Sequence, residues 1–173
     1  MRAFAVVAGL ALALLASPSA AAEGVDVSID LGGGSLMAWD TPEQIGNAFG
    51  LGAFIGVDAF EIGVSGAVVL PDSRVQGDFG AFWVEGRWFP LDRTGLWAPW
   101  VAVGFGVATD DGLTARTIDS IEPVRWVTDS PSALAIVGLG IRYGHREGLH
   151  LSVDVRAYNH SHGGLNLLVG YAF

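Results

Sequence analysis

From residue 25 onward the chain sorts its residues by polarity with a period of two, again and again to the last residue. Side chains of a pleated strand point to opposite faces in turn, so this alternation marks strands with two unlike faces. The clearest run sets Leu151, Val153, Val155 and Ala157 against Ser152, Asp154, Arg156 and Tyr158. The first sets Val25, Val27, Ile29 and Leu31 against Asp26, Ser28 and Asp30. In the second, Phe49, Leu51, Ala53, Ile55 and Val57 oppose Ala48, Gly50, Gly52 and Gly56. Further runs begin near Phe60, Phe82, Val101, Val137 and Leu165, and only Trp83 blurs the contrast by standing on a polar face. The chain is therefore expected to be all-β, with about eight strands in one domain.

Two barrels satisfy such a pattern, and each is the other turned inside out. A soluble carrier encloses its apolar face around a ligand, whereas a membrane barrel turns that face to lipid and fills its lumen with the other. The second face here is glycine, alanine and serine with a few charges of both signs, a poor surface for water but a good filling for a narrow lumen. Composition points the same way. Hydrophobic residues make up 51% of the chain, and all nine basic residues are arginine. Water-facing sheets usually carry lysine, their edges above all. Runs of nine to eleven residues also suit a tilted membrane crossing. The expected fold is an eight-stranded antiparallel up-and-down transmembrane β-barrel.

That choice puts Asp26, Asp30, Glu61, Glu85 and Asp154 in the lumen with Arg87, Arg142 and Arg156. Charges in a low-dielectric interior persist only when paired, so a salt-bridge network across the lumen is expected. Eight strands leave a bore that such side chains fill, which argues against an open pore. A narrow solute or ion path along these charges is the alternative.

Connections alternate in length. Short ones fall at Asp58–Ala59, Pro90–Leu96 and Gly144–Leu149, and longer ones at Gly34–Asn47, Leu70–Gln76 and Thr109–Ser132; Asn159–Gly164 is short on the long-loop side. Short turns of outer-membrane barrels face the periplasm, which puts both termini there. Trp88, Trp97, Trp100, Tyr143, Tyr171 and Phe173 then gather at one level, as an interfacial aromatic belt would.

The start of the chain fits export. Arg2 precedes the apolar run Phe4–Ala16, and Ser17-Pro18-Ser19-Ala20-Ala21-Ala22 offers the small residues of a cleavage site. Residues 1–22 are expected to be a signal peptide that is removed, and residues 23–173 the barrel domain. There is no cysteine, hence no disulfide and no lipid-modified anchor. Eighteen acidic residues against nine basic ones argue against nucleic acid or anionic headgroups as direct partners.

The chain ends Leu165-x-Leu167-x-Val169-x-Tyr171-x-Phe173, which resembles the terminal strand that the outer-membrane assembly machinery recognises in bacterial barrels. Strand count, loop rhythm and the segments Trp97–Gly106 and Ala135–Tyr143 are similar to those of the OmpA-type family of small outer-membrane barrel domains. The resemblance implies residence in the outer membrane of a Gram-negative cell envelope. Its implied partners are membrane lipid, lipopolysaccharide and that machinery, through Phe173. It specifies architecture much better than activity.

Candidate chemistry is sparse. Gly104-x-Gly106 and Gly138-x-Gly140 lack the strand-to-helix setting of a phosphate loop. His160-Ser161-His162 loosely resembles the His-x-Ser-Asn segment of the outer-membrane lipid A deacylases, with Ser161 as nucleophile. Asn159 then stands where that family has histidine and His162 where it has asparagine, and adjacent side chains of an extended segment point apart. His160 and His162 are too few for a metal site, and His145 and His150 belong to the opposite end. The loop acids Asp110, Asp111, Asp119, Glu122 and Asp129 match no calcium loop. The long loop, with Arg116, Ile118, Ile121, Val124, Arg125 and Trp126, reads either as a recognition surface or as a small hairpin over the barrel. The function expected is a closed, non-enzymatic barrel without metal or cofactor, acting structurally or through its outer loops on a partner the sequence does not name.

Overall fold

The computed structural model describes residues 25–38, 44–71, 75–76, 79–110, 114–116, 121–122, 132–144, 147–159 and 162–173. Each polarity run becomes a strand: β1 Val25–Ala38, β2 Gln44–Val57, β3 Phe60–Pro71 and β4 Phe79–Trp88. The second half follows with β5 Trp97–Asp110, β6 Ser132–Gly144, β7 Gly148–Tyr158 and β8 His162–Ala172. Every strand pairs antiparallel with its neighbours in sequence, and β1 pairs with β8 to close the barrel. Closure removes the unpaired edges that an open sheet would present.

The alternation decides which face goes inward. Along β7, Leu151, Val153 and Val155 are each 44–45% exposed on the outside, whereas Ser152, Asp154 and Arg156 are 5% exposed or less in the lumen. The same division runs round the barrel, with Phe105, Val103 and Ile62 among the most exposed side chains. The turns Asp58–Ala59 and Phe89–Leu96 gather at one end, where β6 also ends at Gly144 and β7 begins at Gly148. Val25, opposite Val57, and Phe173, whose N–H donates to the Val27 carbonyl, lie at that end too.

The expected loop Gly34–Asn47 is corrected by the structure: β1 runs on to Ala38 and β2 begins at Gln44, leaving only residues 39–43 between them. Gly34, the expected start of that loop, lies within β1, as do Gly32 and Gly33 before it. A Cβ on Gly32 would collide with the Leu167 carbonyl and Leu168, and one on Gly34 with the Leu165 carbonyl and Asn166. Glycine lets the first and last strands meet beneath the side chains of β8.

The long connections carry a second, separate sheet. Thr114–Arg116 pairs antiparallel with both Val75–Gln76 and Ile121–Glu122, so the β3–β4 and β5–β6 connections are joined by backbone hydrogen bonds.

Candidate functional site

The lumen face gathers the charged residues because register sets them at neighbouring heights. Asp26 and Asp30 come from β1, Glu61 from β3, Glu85 and Arg87 from β4, Arg142 from β6, and Asp154 and Arg156 from β7. All eight residues are buried. Arg87 sits at the centre, with Nη1 2.6 Å from Asp30 and Nε 2.7 Å from Glu85. Arg156 reaches the other Glu85 oxygen at 2.6 Å and Asp154 at 3.1 Å. Arg142 grips Glu61 with two parallel bonds of 2.6 and 2.8 Å, the fork geometry that suits guanidinium to carboxylate. Breaking one partner of such a set leaves a buried charge without compensation.

The period-two reading missed four members. Arg93 rises from the β4–β5 turn to Asp26 at 2.8 Å and Glu61 at 3.4 Å; a turn residue carries no alternation signal. His150 places Nε2 2.8 Å from Asp30. Its parity with Ser152 and Asp154 was the available clue, and the buried lumen face is where the structure sets it. The Trp83 indole N–H donates to Glu85, and the Asn166 amide to Asp154. Trp83, the residue that blurred the fourth strand, is on the polar face because it completes the network.

Rings and guanidiniums alternate through the middle of the lumen. Arg87 stacks on Phe54 at 3.7 Å and on Trp100 at 4.8 Å, and Arg156 lies between Trp100 and Trp83 at 5.9 and 5.7 Å. Such stacking suits guanidinium, which explains part of the preference for arginine in the lumen. The bulky groups fit because glycines oppose them: a Cβ on Gly140 would press into Trp100, and one on Gly170 into His150 and Asp30.

Trp100 corrects the expected belt. It is 1% exposed and faces inward, because it shares the parity of Ala98 and Ala102 while Trp97 and Val101 point out. Height alone had grouped it with the rim. Trp88, Trp97, Tyr143, Tyr171 and Phe173 are exposed on the outer face near the short-turn end. Trp97 packs on Tyr143 with centroids 4.5 Å apart, and Tyr171 on Phe173 at 4.9 Å.

Towards the long-loop end the filling changes character. Leu36, Val69, Ala81, Trp83, Ala108, Leu134, Ile136 and Tyr158 form a buried apolar cluster inside the barrel. Polarity patterning failed here because both faces are apolar. Between this cluster and the charges lies a cavity of about 40 Å³ bordered by Asp30, Ser65, Arg87 and Tyr158, with room for a few water molecules only.

The remaining candidates are not brought together. Ser161 and His160 lie outside the described residues, as do residues 1–22, His145, Asp111, Asp119 and Asp129. His162 opens β8 and is buried, 2% exposed, across the strand pair from Tyr158. Among the described residues, no three or more histidines and carboxylates are placed to hold a metal ion.

Solved structures of similar architecture exist. The N-terminal β-barrel domain of OprF from Pseudomonas aeruginosa aligns with a TM-score of 0.59 at 16% identity, over 86% of this chain and 97% of that one. The fold is that of the eight-stranded outer-membrane barrels. Neisserial surface protein A, NspA, aligns with a TM-score of 0.58 at 14% identity, over 87% and 97%. Ail, the attachment invasion locus protein of Yersinia pestis, aligns at 0.51 and 15%, over 86% and 98%. No protein-family model and no curated protein matches the sequence. At such identities the likeness establishes architecture and leaves activity open.

Proposed function

We propose that the chain is a non-enzymatic outer-membrane protein of a Gram-negative envelope, exported by residues 1–22, sealed through its lumen, and acting structurally or through its long loops. One observation carries the reading: the outer wall of the closed barrel is apolar all round, and the paired charges are inside. Soluble proteins rarely expose contiguous apolar area beyond a few hundred Å². Lipid is the solvent in which such a wall is stable, and the aromatic rim near the short turns supports the same placement. The short turns and both chain termini then face the periplasm. Phe173, on the outer face at the end of β8, is available to the assembly machinery before the barrel closes.

The nature of the recognition surface follows from charge. The connections at residues 39–43, 72–78 and 111–131 hold eight acidic residues and three arginines. Ail has been crystallised with a heparin analogue, sucrose octasulfate. Loops as acidic as these oppose a polyanion of that kind, so a cationic or neutral partner suits this chain better.

The cysteine-free sequence provides the test. Ser120→Cys in the long loop is expected to react with a membrane-impermeant maleimide on intact cells. Labelling that required prior opening of the outer membrane would overturn the surface-loop assignment and favour a periplasmic barrel.

A further inference from the structure

The β4–β5 connection, Phe89–Leu96, behaves differently from the other two short turns. β2 and β3 are joined by two residues and β6 and β7 by three, whereas this connection spans eight. Arg93, in its middle, is 5% exposed and inserts into the lumen from below. Its Nε donates to the Asp58 carbonyl at 2.7 Å, and its Nη1 to Asp26 at 2.8 Å.

The backbone fastens the same segment at both sides. The Phe89 N–H donates to the Ala59 carbonyl, and the Leu96 carbonyl accepts from the Gly144 N–H. Phe89 is buried beneath the Arg142 guanidinium, 5.0 Å from its ring centroid. At the tip, the Asp92 carboxylate accepts bonds from the Thr94 hydroxyl at 2.7 Å and the Thr94 N–H at 2.9 Å. Those two bonds hold the Asp92 carboxyl below its ordinary pKa and keep the turn formed around Arg93. Gly56 leaves the space the guanidinium enters: a Cβ there would occupy the positions of Arg93 Nη1 and the Asp26 carboxylate.

We propose that Phe89–Leu96 is a strap that closes the short-turn mouth of the barrel, with Arg93 as its pin and Asp26, Glu61 and the Asp58 carbonyl as its socket. The strap separates the buried charge network from the solvent at that end, while the apolar cluster seals the other. Without the pin, the network should become reachable by solvent although the strands remain paired. The inference rests on the fold and stands whichever way the barrel is oriented.

A lone cysteine reports the seal. Ser28 is 1% exposed and faces the lumen between Asp26 and Asp30. The folded Ser28→Cys barrel is expected to resist a small water-soluble thiol reagent, while Ser28→Cys with Arg93→Ala should react roughly tenfold faster or more, since the charge-assisted contacts of Arg93 with Asp26, Glu61 and the Asp58 carbonyl are lost. Heat-modifiable migration on gels shows that each variant is folded. Gly56→Ala, which crowds the socket and leaves Arg93 in the chain, should accelerate labelling in the same direction and serves if Arg93→Ala does not fold. Rapid labelling with Arg93 and Gly56 both intact, or unchanged protection in a folded variant of either, would overturn the proposal.

Discussion

Arg87 carries more of the lumen than any neighbour, because one guanidinium meets Asp30 and Glu85 directly, lies 3.6 Å from Glu61 and stacks on two rings. Replacing it with alanine leaves those buried carboxylates short of a partner. The expected loss is about 3–5 kcal/mol in reversible urea unfolding from detergent or liposomes, the usual cost of breaking one side of a buried ion pair. Arg87→Met combined with Asp30→Asn should recover part of it, since neutralising both partners removes one of the charges left unpaired. A loss below about 1 kcal/mol for Arg87→Ala would show that the network is not what holds this level of the barrel. Glycine matters at the same scale. Gly170 sits where His150 and Asp30 meet, so residue size on β8 sets a contact between β1 and β7.

Each strand is a ruler with one polar and one apolar side, and its behaviour should depend on depth. Val103 lies midway along β5 and is 67% exposed on the outer face, whereas Trp97 begins the strand at the aromatic rim. If the outer face meets lipid, Val103→Arg should cost about 2–4 kcal/mol in unfolding from liposomes, and Trp97→Arg about 0–1 kcal/mol on charge placement alone, apart from the packing lost on Tyr143. Equal effects at the two heights would argue for water on that face. β1 teaches a different lesson. Gly34, expected to open a loop, is strand in space, because its decisive neighbour, β8, lies at the far end of the sequence.

Among the described residues the two ends of the lumen are filled by unlike means: an apolar cluster towards the long loops, and paired charges with Arg93 towards the short turns, where we propose the strap. A dry apolar stretch in a narrow bore opposes ions more strongly than a polar one. The purified barrel is accordingly expected to be silent in planar bilayers across physiological voltages, and neutralising Arg156 should not create a conductance. Stable unitary currents that changed with Arg87 or Arg156 would instead support the solute-path reading.

The chain by itself determined the strands, their number, the two faces and most of the residues that meet inside. Period two is a local property, written in consecutive residues and enforced by the pleat. Which inward residues touch was decided by closure and register, which join Arg142 to Glu61 across 81 residues and His150 to Asp30 across 120. Trp100 illustrates the boundary. Its parity was legible and its partners were not, so height alone misassigned it to the rim. Arg93 lay beyond reach altogether, since a turn has no alternation and only the folded barrel provides the mouth it enters. The apolar cluster near the long loops was hidden for the opposite reason: with both faces apolar, the polarity of a residue no longer tells in from out, and only the curvature of the closed sheet does.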